Sequence, residues 1–319
     1  MSTRRARVGM IVPSLNTIAE DDFRLFCPPE VRYHVHRIRL RKEGGRVTRE
    51  SLARAHLEAI EEAGMLKDMS PDAVVFNCTG ASVSCGPLGD QALADRMTRE
   101  LGLPATNTMV AIKQALAALG LRSLVHVCPF ADQFSTDERL SLEASGLTVL
   151  KSVGLNFVDA KEAALMSPAR LAEIACGHML PEADGLLLSC ANVRAAEAAE
   201  AIEQRLGKPV VTSNQAVLWA VLRLVGHTAV RAAFEALLAN GGVRVQPERA
   251  RRIDAGGCSV HSVIERIEVM SDDGPAHAWV LATNVYAKTV HGWRMVAHHA
   301  SPGSRNEPAD ALSTPPVLH

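Results

Sequence analysis

The sequence predicts an α/β protein of two pseudo-symmetric parallel-sheet halves, followed by a small antiparallel β segment. Three observations carry this. First, the chain repeats itself. Asp72-Ala73-Val74-Val75-Phe76-Asn77-Cys78 and Asp184-Gly185-Leu186-Leu187-Leu188-Ser189-Cys190 share an acid, a short apolar run, a small polar residue and a cysteine. Each is followed by a helical stretch, then Leu-Gly-x-Pro (Leu101–Pro104 and Leu206–Pro209) and a second apolar run. Internal repetition fixes architecture before any local reading does. Second, short apolar runs alternate with helical patterns throughout the first 225 residues, the signature of parallel sheets covered by helices. Third, after about Phe234 the pattern changes to consecutive strands separated by glycine-rich turns.

The elements follow in order. Val8–Val12 is a strand, and Ser14 or Asn16 is placed to cap a helix running toward Phe26. Tyr33–Leu40 alternates as a strand does, and Thr48–Leu66 has helical spacing. Ala73–Asn77 is a buried strand, Leu88–Leu101 a helix, Ala105–Asn107 a strand, and Met109–Leu119 a helix closed by Gly120. The second half repeats this: strand Leu124–Val127, helix Asp132–Ala144, strand Leu147–Val153, helix Ala169–Met179, strand Leu186–Ser189, helix Ala195–Leu206, strand Val210–Thr212. A helix over 215–230 is expected to cross back to the first half. The halves therefore span 1–112 and 113–220. Val243–Arg252, Cys258–Val269, Ala276–Lys288 and Trp293–His299 read as antiparallel strands within a segment 240–302. Their turns are Ala255-Gly256-Gly257, Asp272-Asp273-Gly274 and His291-Gly292. The tail 303–319 is rich in Pro, Ser and charge and reads as disordered.

Composition narrows the function classes. The chain has 319 residues, 47% of them hydrophobic, and a net charge of −1. No whole-protein field favours nucleic acid or membrane, and no apolar run approaches the roughly 20 residues of a membrane helix. Val8–Val12 is too short for a signal-peptide core, so a cytoplasmic location is the expectation. Seven cysteines with no CxxC pair indicate neither a disulfide framework nor a zinc ribbon. His34 and His36 share a strand face with no evident acid or cysteine ligand, so no metal site is expected. His298 and His299 are strand neighbours on opposite faces. Arg37, Arg39, Arg41, Lys42 and Arg46 read as a solvated strand face and loop, with steering of anionic substrates as the alternative.

Two cysteines stand out by position. Cys78 and Cys190 each lie at the carboxyl end of a buried strand, where ligands bind in open α/β sheets. The reactive form of cysteine is the thiolate, which a helix N-terminus favours. The residues after them (Thr79, Gly80, Ala81 and Ser82; Ala191 and Asn192) are small or polar. Their backbone N–H groups can cradle a carboxylate or a developing enolate. Thr79 and Ser82 can also donate through their hydroxyls. Cys27, Cys85, Cys128, Cys176 and Cys258 carry no such signature, although Cys85 is near enough in sequence to be an oxidation partner of Cys78.

The residues Val12-Pro13-Ser14-Leu15-Asn16-Thr17, Cys78-Thr79-Gly80-Ala81-Ser82, Cys128-Pro129-Phe130, Ser189-Cys190-Ala191-Asn192 and Pro209-Val210-Val211-Thr212-Ser213-Asn214 resemble the Asp/Glu racemase superfamily. The resemblance covers about residues 6–228 and is strongest to the branch of maleate cis-trans isomerase and arylmalonate decarboxylase. It implies two flavodoxin-like halves with the active site between them and no cofactor. It also implies roles. In the racemases of this superfamily one cysteine removes the α-proton and the other reprotonates the opposite face. In its maleate isomerases one cysteine attacks the double bond, the adduct rotates and then eliminates, with the second cysteine as acid/base. Its decarboxylases lack the first cysteine. By position Cys78 becomes the nucleophile and Cys190 the acid/base, with Asn16 and, more weakly, Ser14 on a substrate carboxylate. Two departures matter: Phe130 replaces a common tyrosine, and Ala160 a common asparagine. Both remove a polar contact and point toward a less polar substrate than maleate. Trp279–Tyr286 and Gly292–Pro302 resemble the last strands of a SnoaL-like (nuclear-transport-factor-2-like) domain, which implies a surface cover or dimer element.

The expected function is thus a cofactor-independent isomerase acting on a small (di)carboxylate, working as a homodimer without nucleic-acid or membrane partners. A racemase of aspartate, glutamate or hydantoin type, or an arylmalonate-type decarboxylase, is the alternative. A non-catalytic protein that binds a small acid is the reading from another class.

Overall fold

The computed structural model describes residues 5–227, 244–255, 258–271, 274–289 and 292–303. The chain forms two units, Met1–Leu238 and Ala239–His319. In the first unit, β1 (Ala6–Pro13), β2 (Val31–Ile38), β3 (Ala73–Phe76) and β4 (Ala105–Asn107) form a parallel sheet in the order β2-β1-β3-β4. A second parallel sheet contains β5 (Ser123–Cys128), β6 (Thr148–Gly154), β7 (Gly185–Leu188) and β8 (Val210–Thr212) in the order β6-β5-β7-β8. The two orders are the same, so the repeat seen in the sequence is a repeat of topology. Central strands β3 and β7 are buried throughout, as their unbroken apolar runs require.

The helices are α1 (Ala19–Phe26), α2 (Arg49–Ala63), α3 (Thr79–Val83), α4 (Gly89–Leu101), α5 (Thr108–Ala118), α6 (Asp132–Ala144), α7 (Ala160–Leu165), α8 (Pro168–His178), α9 (Ala195–Leu206) and α10 (Ser213–Leu224). α5 and α10 follow β4 and β8, pack on each other, and tie the sheets together. Met10, Phe23, Met109, Ile112, Leu116, Leu124, Leu187, Leu218 and Val221 form one core that includes residues of both sheets. Full burial of each large side chain there contributes about 1.5–3 kcal/mol. α10 also packs on α1; positions 228–230 of the helix expected over 215–230 lie outside the described residues.

Caps explain several boundaries. The Thr48 hydroxyl accepts from Ser51 N, and the Ser51 hydroxyl accepts from Thr48 N, a reciprocal box that starts α2 at Arg49. Asn107 Oδ1 accepts from Val110 N, and Thr212 Oγ1 from Gln215 N, at the equivalent starts of α5 and α10. α2 stops at Ala63 rather than Leu66 because Gly64 opens a 3₁₀ turn, Gly64–Met69. β2 lies two residues earlier than expected because it pairs residue for residue with β1, from Ala6↔Val31 to Pro13↔Ile38. α3 and α7 are short helices that the sequence pattern did not separate from loop.

Gly154 ends β6 where the chain after β5 crosses over it. A Cβ there would lie 2.7 Å from the Phe130 carbonyl oxygen and 2.7 Å from Asp132 Oδ1. Gly154→Ala is therefore expected to lower stability by about 1–3 kcal/mol, read as a fall in the thermal unfolding midpoint.

The second unit is an antiparallel sheet of β9 (Arg244–Ala255), β10 (Cys258–Ser271), β11 (Gly274–Thr289) and β12 (Gly292–Gly303), in the order β12-β11-β10-β9. Val263 and Ile264 of β10 are buried. The pairing shifts once in each outer ladder, at Ile264/Glu265 and at Val285/Tyr286. The turn residues 256–257, 272–273 and 290–291 and the tail 304–319 lie outside the described residues.

His36 corrects one expectation. Its Nε2 lies 3.1 Å from Glu62 Oε2 on α2, an acid remote in sequence. Among the described residues no group of three or more His, Cys, Asp and Glu is placed to hold a metal, and no helix is long and apolar enough to cross a membrane.

Candidate active site

A cavity of about 390 Å³ opens at the carboxyl ends of both sheets of the first unit, within the usual range for small-molecule sites (about 300–1,000 Å³). Asn16, Cys78, Thr79, Gly80, Phe130, Cys190, Ala191 and Asn192 all line it. Ser14 and Ser82 do not. Ser14 is exposed and its hydroxyl accepts from Leu40 N at 3.2 Å. Ser82 is fully buried and its hydroxyl donates to the Cys78 carbonyl oxygen at 2.8 Å. Their side chains are committed to the backbone that shapes the cavity.

Cys78 follows β3 and is the N-cap residue of α3. It is half-buried in the cavity wall, and its surroundings push its thiol up to about 12. The Ala81 N–H works against this by bonding the sulfur, and the Glu138 carboxylate adds to it. Cys190 follows β7 with φ at +98°, a conformation that side-chain-bearing residues rarely adopt. Burial raises its thiol further than that of Cys78, against a bond to the sulfur from Asn192 N at 3.3 Å. Both cavity cysteines are therefore thiols at neutral pH. Burial outweighs the local N–H donors, so neither thiol has the lowering that the sequence led us to expect at a helix end.

Polar side chains lock the two loops together. Ser213 Oγ accepts from Cys190 N at 2.9 Å and pairs with Thr79 Oγ1 at 3.1 Å. Asn16 both caps and bridges. Its Oδ1 accepts from Ile18 N and Ala19 N, and its Nδ2 donates to Ala191 O at 3.0 Å. Asn214 Nδ2 donates to the same Ala191 oxygen and to Asp22 Oδ2, while its Oδ1 accepts from Asn77 Nδ2. Asn192 Oδ1 accepts from Thr17 N and its Nδ2 donates to Ala160 O.

The remaining wall is largely apolar: Leu15, Leu40, Val47, Leu52, Phe134, Phe157 and Val158, with Phe130 edge-on to Phe134 at 6.4 Å between ring centres. Lys42 and Arg46 also line the cavity from an exposed loop, so part of the basic run belongs to the site. Lys42 Nζ is 3.8 Å from Asp159 Oδ1. Sequence reasoning missed Glu138 altogether. It lines the cavity at 2% exposure, and its Oε2 lies 2.9 Å from Nε2 of the fully buried His126. The same His126 nitrogen is 2.9 Å from Ser189 Oγ, and His126 Nδ1 is 2.9 Å from Ser152 Oγ.

Proteins similar to this chain in sequence and fold include arylmalonate decarboxylases and maleate isomerases. The chain is 28% identical over 254 residues to arylmalonate decarboxylase of Bordetella bronchiseptica, covering 77% of this chain and 96% of that one. It is 27% identical over 229 residues to maleate isomerase of Geobacillus stearothermophilus, covering 68% and 90%. Among solved structures, a liganded double mutant of arylmalonate decarboxylase superposes with a TM-score of 0.64 at 27% identity, covering 69% of this chain and 93% of that one. Maleate isomerase Iso of Pseudomonas putida S16 shares the fold, with a TM-score of 0.61 at 24% identity over 69% and 93%. A sequence model of the SnoaL-like domain matches residues 196–304, so the likeness starts at α9 and takes in all four strands of the second unit. The model of the arylmalonate decarboxylase family matches residues 8–238, and the chain belongs to that family.

Proposed function

We propose that this cavity isomerises a small unsaturated carboxylate in the manner of a maleate cis-trans isomerase, without a cofactor. The observation that carries the reading is that Cys78 and Cys190, from equivalent strand ends of the two sheets, line one cavity. Cys78, as thiolate, adds to one alkene carbon, and the displaced electron pair moves onto the carbon next to a carboxylate. Cys190 supplies a proton to that carbon. Rotation about the new single bond is followed by return of the proton to Cys190 and departure of Cys78, which restores the double bond in the other geometry. A buried neutral Cys190 is suited to hold the proton it must give. Lys42 and Arg46 favour an acid at the mouth.

Phe130 and Ala160 support an acid with a less polar body than maleate. They equally favour a second reading, decarboxylation of an aryl- or alkyl-substituted malonate with Cys190 protonating the enolate. Proton NMR in heavy water separates these. The protein is incubated with maleate, alkyl-substituted maleates, arylmalonates and amino acids. Conversion of a maleate to its trans isomer supports the first reading. Loss of carbon dioxide from a malonate supports the second. Deuterium entering only the α-position of an amino acid moves the chain to racemisation. Silence across the panel leaves binding of a small acid as the function.

A further inference from the structure

We infer that Asn214, oriented by Asp22, is a positioning residue that aims the Asn192 N–H at the Cys190 sulfur. The inference rests on the cysteine-pair reading above, in which Cys190 gives up a proton and takes it back. Between those steps the sulfur carries a negative charge. Burial, Glu138 and Cys78 all oppose that charge, and the N–H of Asn192, 3.3 Å from the sulfur, is the contact that favours it. How firmly that N–H is held therefore decides how well Cys190 can exchange a proton.

A trans peptide points its C=O and its N–H in opposite directions, so fixing the Ala191 oxygen aims the Asn192 N–H. That oxygen accepts from two side-chain amides, Asn16 Nδ2 at 3.0 Å and Asn214 Nδ2 at 3.1 Å. Asn16 takes its orientation from capping α1 through Oδ1. Asn214 is not a cap, because Thr212 caps α10. Its orientation comes from a chain of bonds that all run one way. Thr108 Oγ1 donates to Asn77 Oδ1 at 2.9 Å, Asn77 Nδ2 to Asn214 Oδ1 at 3.0 Å, and Asn214 Nδ2 to Asp22 Oδ2 at 2.6 Å. All four residues are at most 3% exposed, so water does not offer substitute partners. Turned over, the Asn214 amide would set its oxygen against the Ala191 carbonyl and the Asp22 carboxyl, and its NH2 against the Asn77 NH2. Asp22 and Asn77 together exclude that orientation. Hydrogen bonds in series polarise one another, so the two amides on the Ala191 oxygen also make the Asn192 N–H a stronger donor. Asn77 precedes Cys78 and Ala191 follows Cys190, so the chain ties together the two strand ends that carry the thiols. Neither Asn214 nor Asp22 lines the cavity, so their effect on the chemistry runs through the Ala191–Asn192 peptide.

The test is the rate at which iodoacetamide, an uncharged probe, alkylates Cys190 in the full chain from neutral to alkaline pH. Peptide mass spectrometry resolves the sites, and Cys78 in the same molecules is the reference. The thiolate is the reacting form, so the level of the rate reads how well the anion is held. In Asn214→Leu the Cys190 rate is expected to fall by about 10–100-fold relative to Cys78, the effect of weakening one hydrogen bond to a charged group. Asp22→Leu leaves the Asn214 amide free to turn. It is expected to shift the ratio the same way by less, and it decides the matter if Asn214→Leu does not fold. Asp22→Asn keeps an oxygen for Asn214 and is expected to hold the ratio of the unsubstituted protein. A merely loosened fold does the opposite, speeding both thiols as the reagent reaches them. An unchanged ratio in the leucine variants, or a rise in both rates, overturns the proposal, as does Asp22→Asn behaving like Asp22→Leu. A lowered ratio with no turnover on any acid sinks the enzyme readings and leaves the positioning role standing. Turnover with an unchanged ratio does the reverse.

Discussion

Cys190→Gly is expected to unfold at higher urea than Cys190→Ala, while both lose the thiol. Both substitutions remove the thiol, so they differ by one Cβ. At φ +98° that Cβ is the source of strain. Non-glycine residues held in such regions cost about 1–3 kcal/mol, and glycine adopts them freely. In an ordinary helix or strand the order is reversed, because glycine has more freedom to lose. The reversal therefore reads the strain directly. Cys190 is held in place by its N–H on Ser213 Oγ and by the Ala191 carbonyl between two amides. Turnover falls by about 10²–10⁴-fold if the thiol serves as the general acid. Cys78→Ala, which removes the nucleophile, is expected to lose at least as much. Equal urea midpoints for the two Cys190 variants, or midpoints in the opposite order, would show that the loop relaxes and stores nothing.

The second large effect concerns Asp22. This carboxyl is 2% exposed, its Oδ2 accepts from Asn214, and its Oδ1 has no hydrogen-bond partner. Burial pushes its pKa from 3.8 up to about 7. The Asn214 bond and Arg194 pull the other way, and Glu197 and Asp21 add to the rise. The folded pKa lies above the unfolded one, so the native state keeps a proton that the unfolded chain has already released. The stability this contributes is complete below about pH 4 and is lost as pH rises through 7. At about 1.4 kcal/mol per unit, three units amount to on the order of 4 kcal/mol. Asp22→Asn removes the titration and keeps the shape. Its stability relative to the unsubstituted protein is expected to be level near pH 4 and to rise by several kcal/mol in its favour by pH 8. Urea titrations across that range check this, and a difference independent of pH would mean that the carboxyl titrates normally.

The sequence showed the architecture clearly because the signals were redundant. Two copies of an acid, an apolar run and a cysteine predict two sheets with thiols at equivalent ends, and both thiols line one cavity. Periodicity placed α6 and α9 to the residue. The failures have local causes. Thr79-Gly80-Ala81-Ser82 is a poor helix former by propensity. It turns into α3 because Ser82 bonds back to Cys78 O and His56 reaches Ala81 O, a contact between residues 25 apart. Ser14 and Ser82 looked like substrate donors because a hydroxyl in a loop can point anywhere, and the backbone claimed both. Glu138 was invisible for the opposite reason. A glutamate on an amphipathic helix reads as solvated, and its partner His126 sits inside an apolar strand. Neither departs from pattern until α6 is laid against β5. Asn16 was legible as a cap, and its bridge to Ala191 required knowing that residues 175 apart meet.

The bonds that cross between the halves also set a clock. Asn16 to Ala191, Asn192 to Thr17, and the forked contact of Arg49 with Asp137 would all break if the halves swung apart. Neutral hydrogen bonds of this kind contribute about 0.5–1.5 kcal/mol each and charged ones more, and the shared apolar core resists the same motion. Opening like a book is thus a rare event for this protein. The cavity also has a rim where Lys42, Arg46, Asn156 and Val158 are exposed, a way in that leaves those bonds intact. Exchange through surface loops belongs to the ns–μs range, whereas hinge motion of whole domains takes about μs–ms. A small molecule that enters at the rim therefore need not wait for the halves to part.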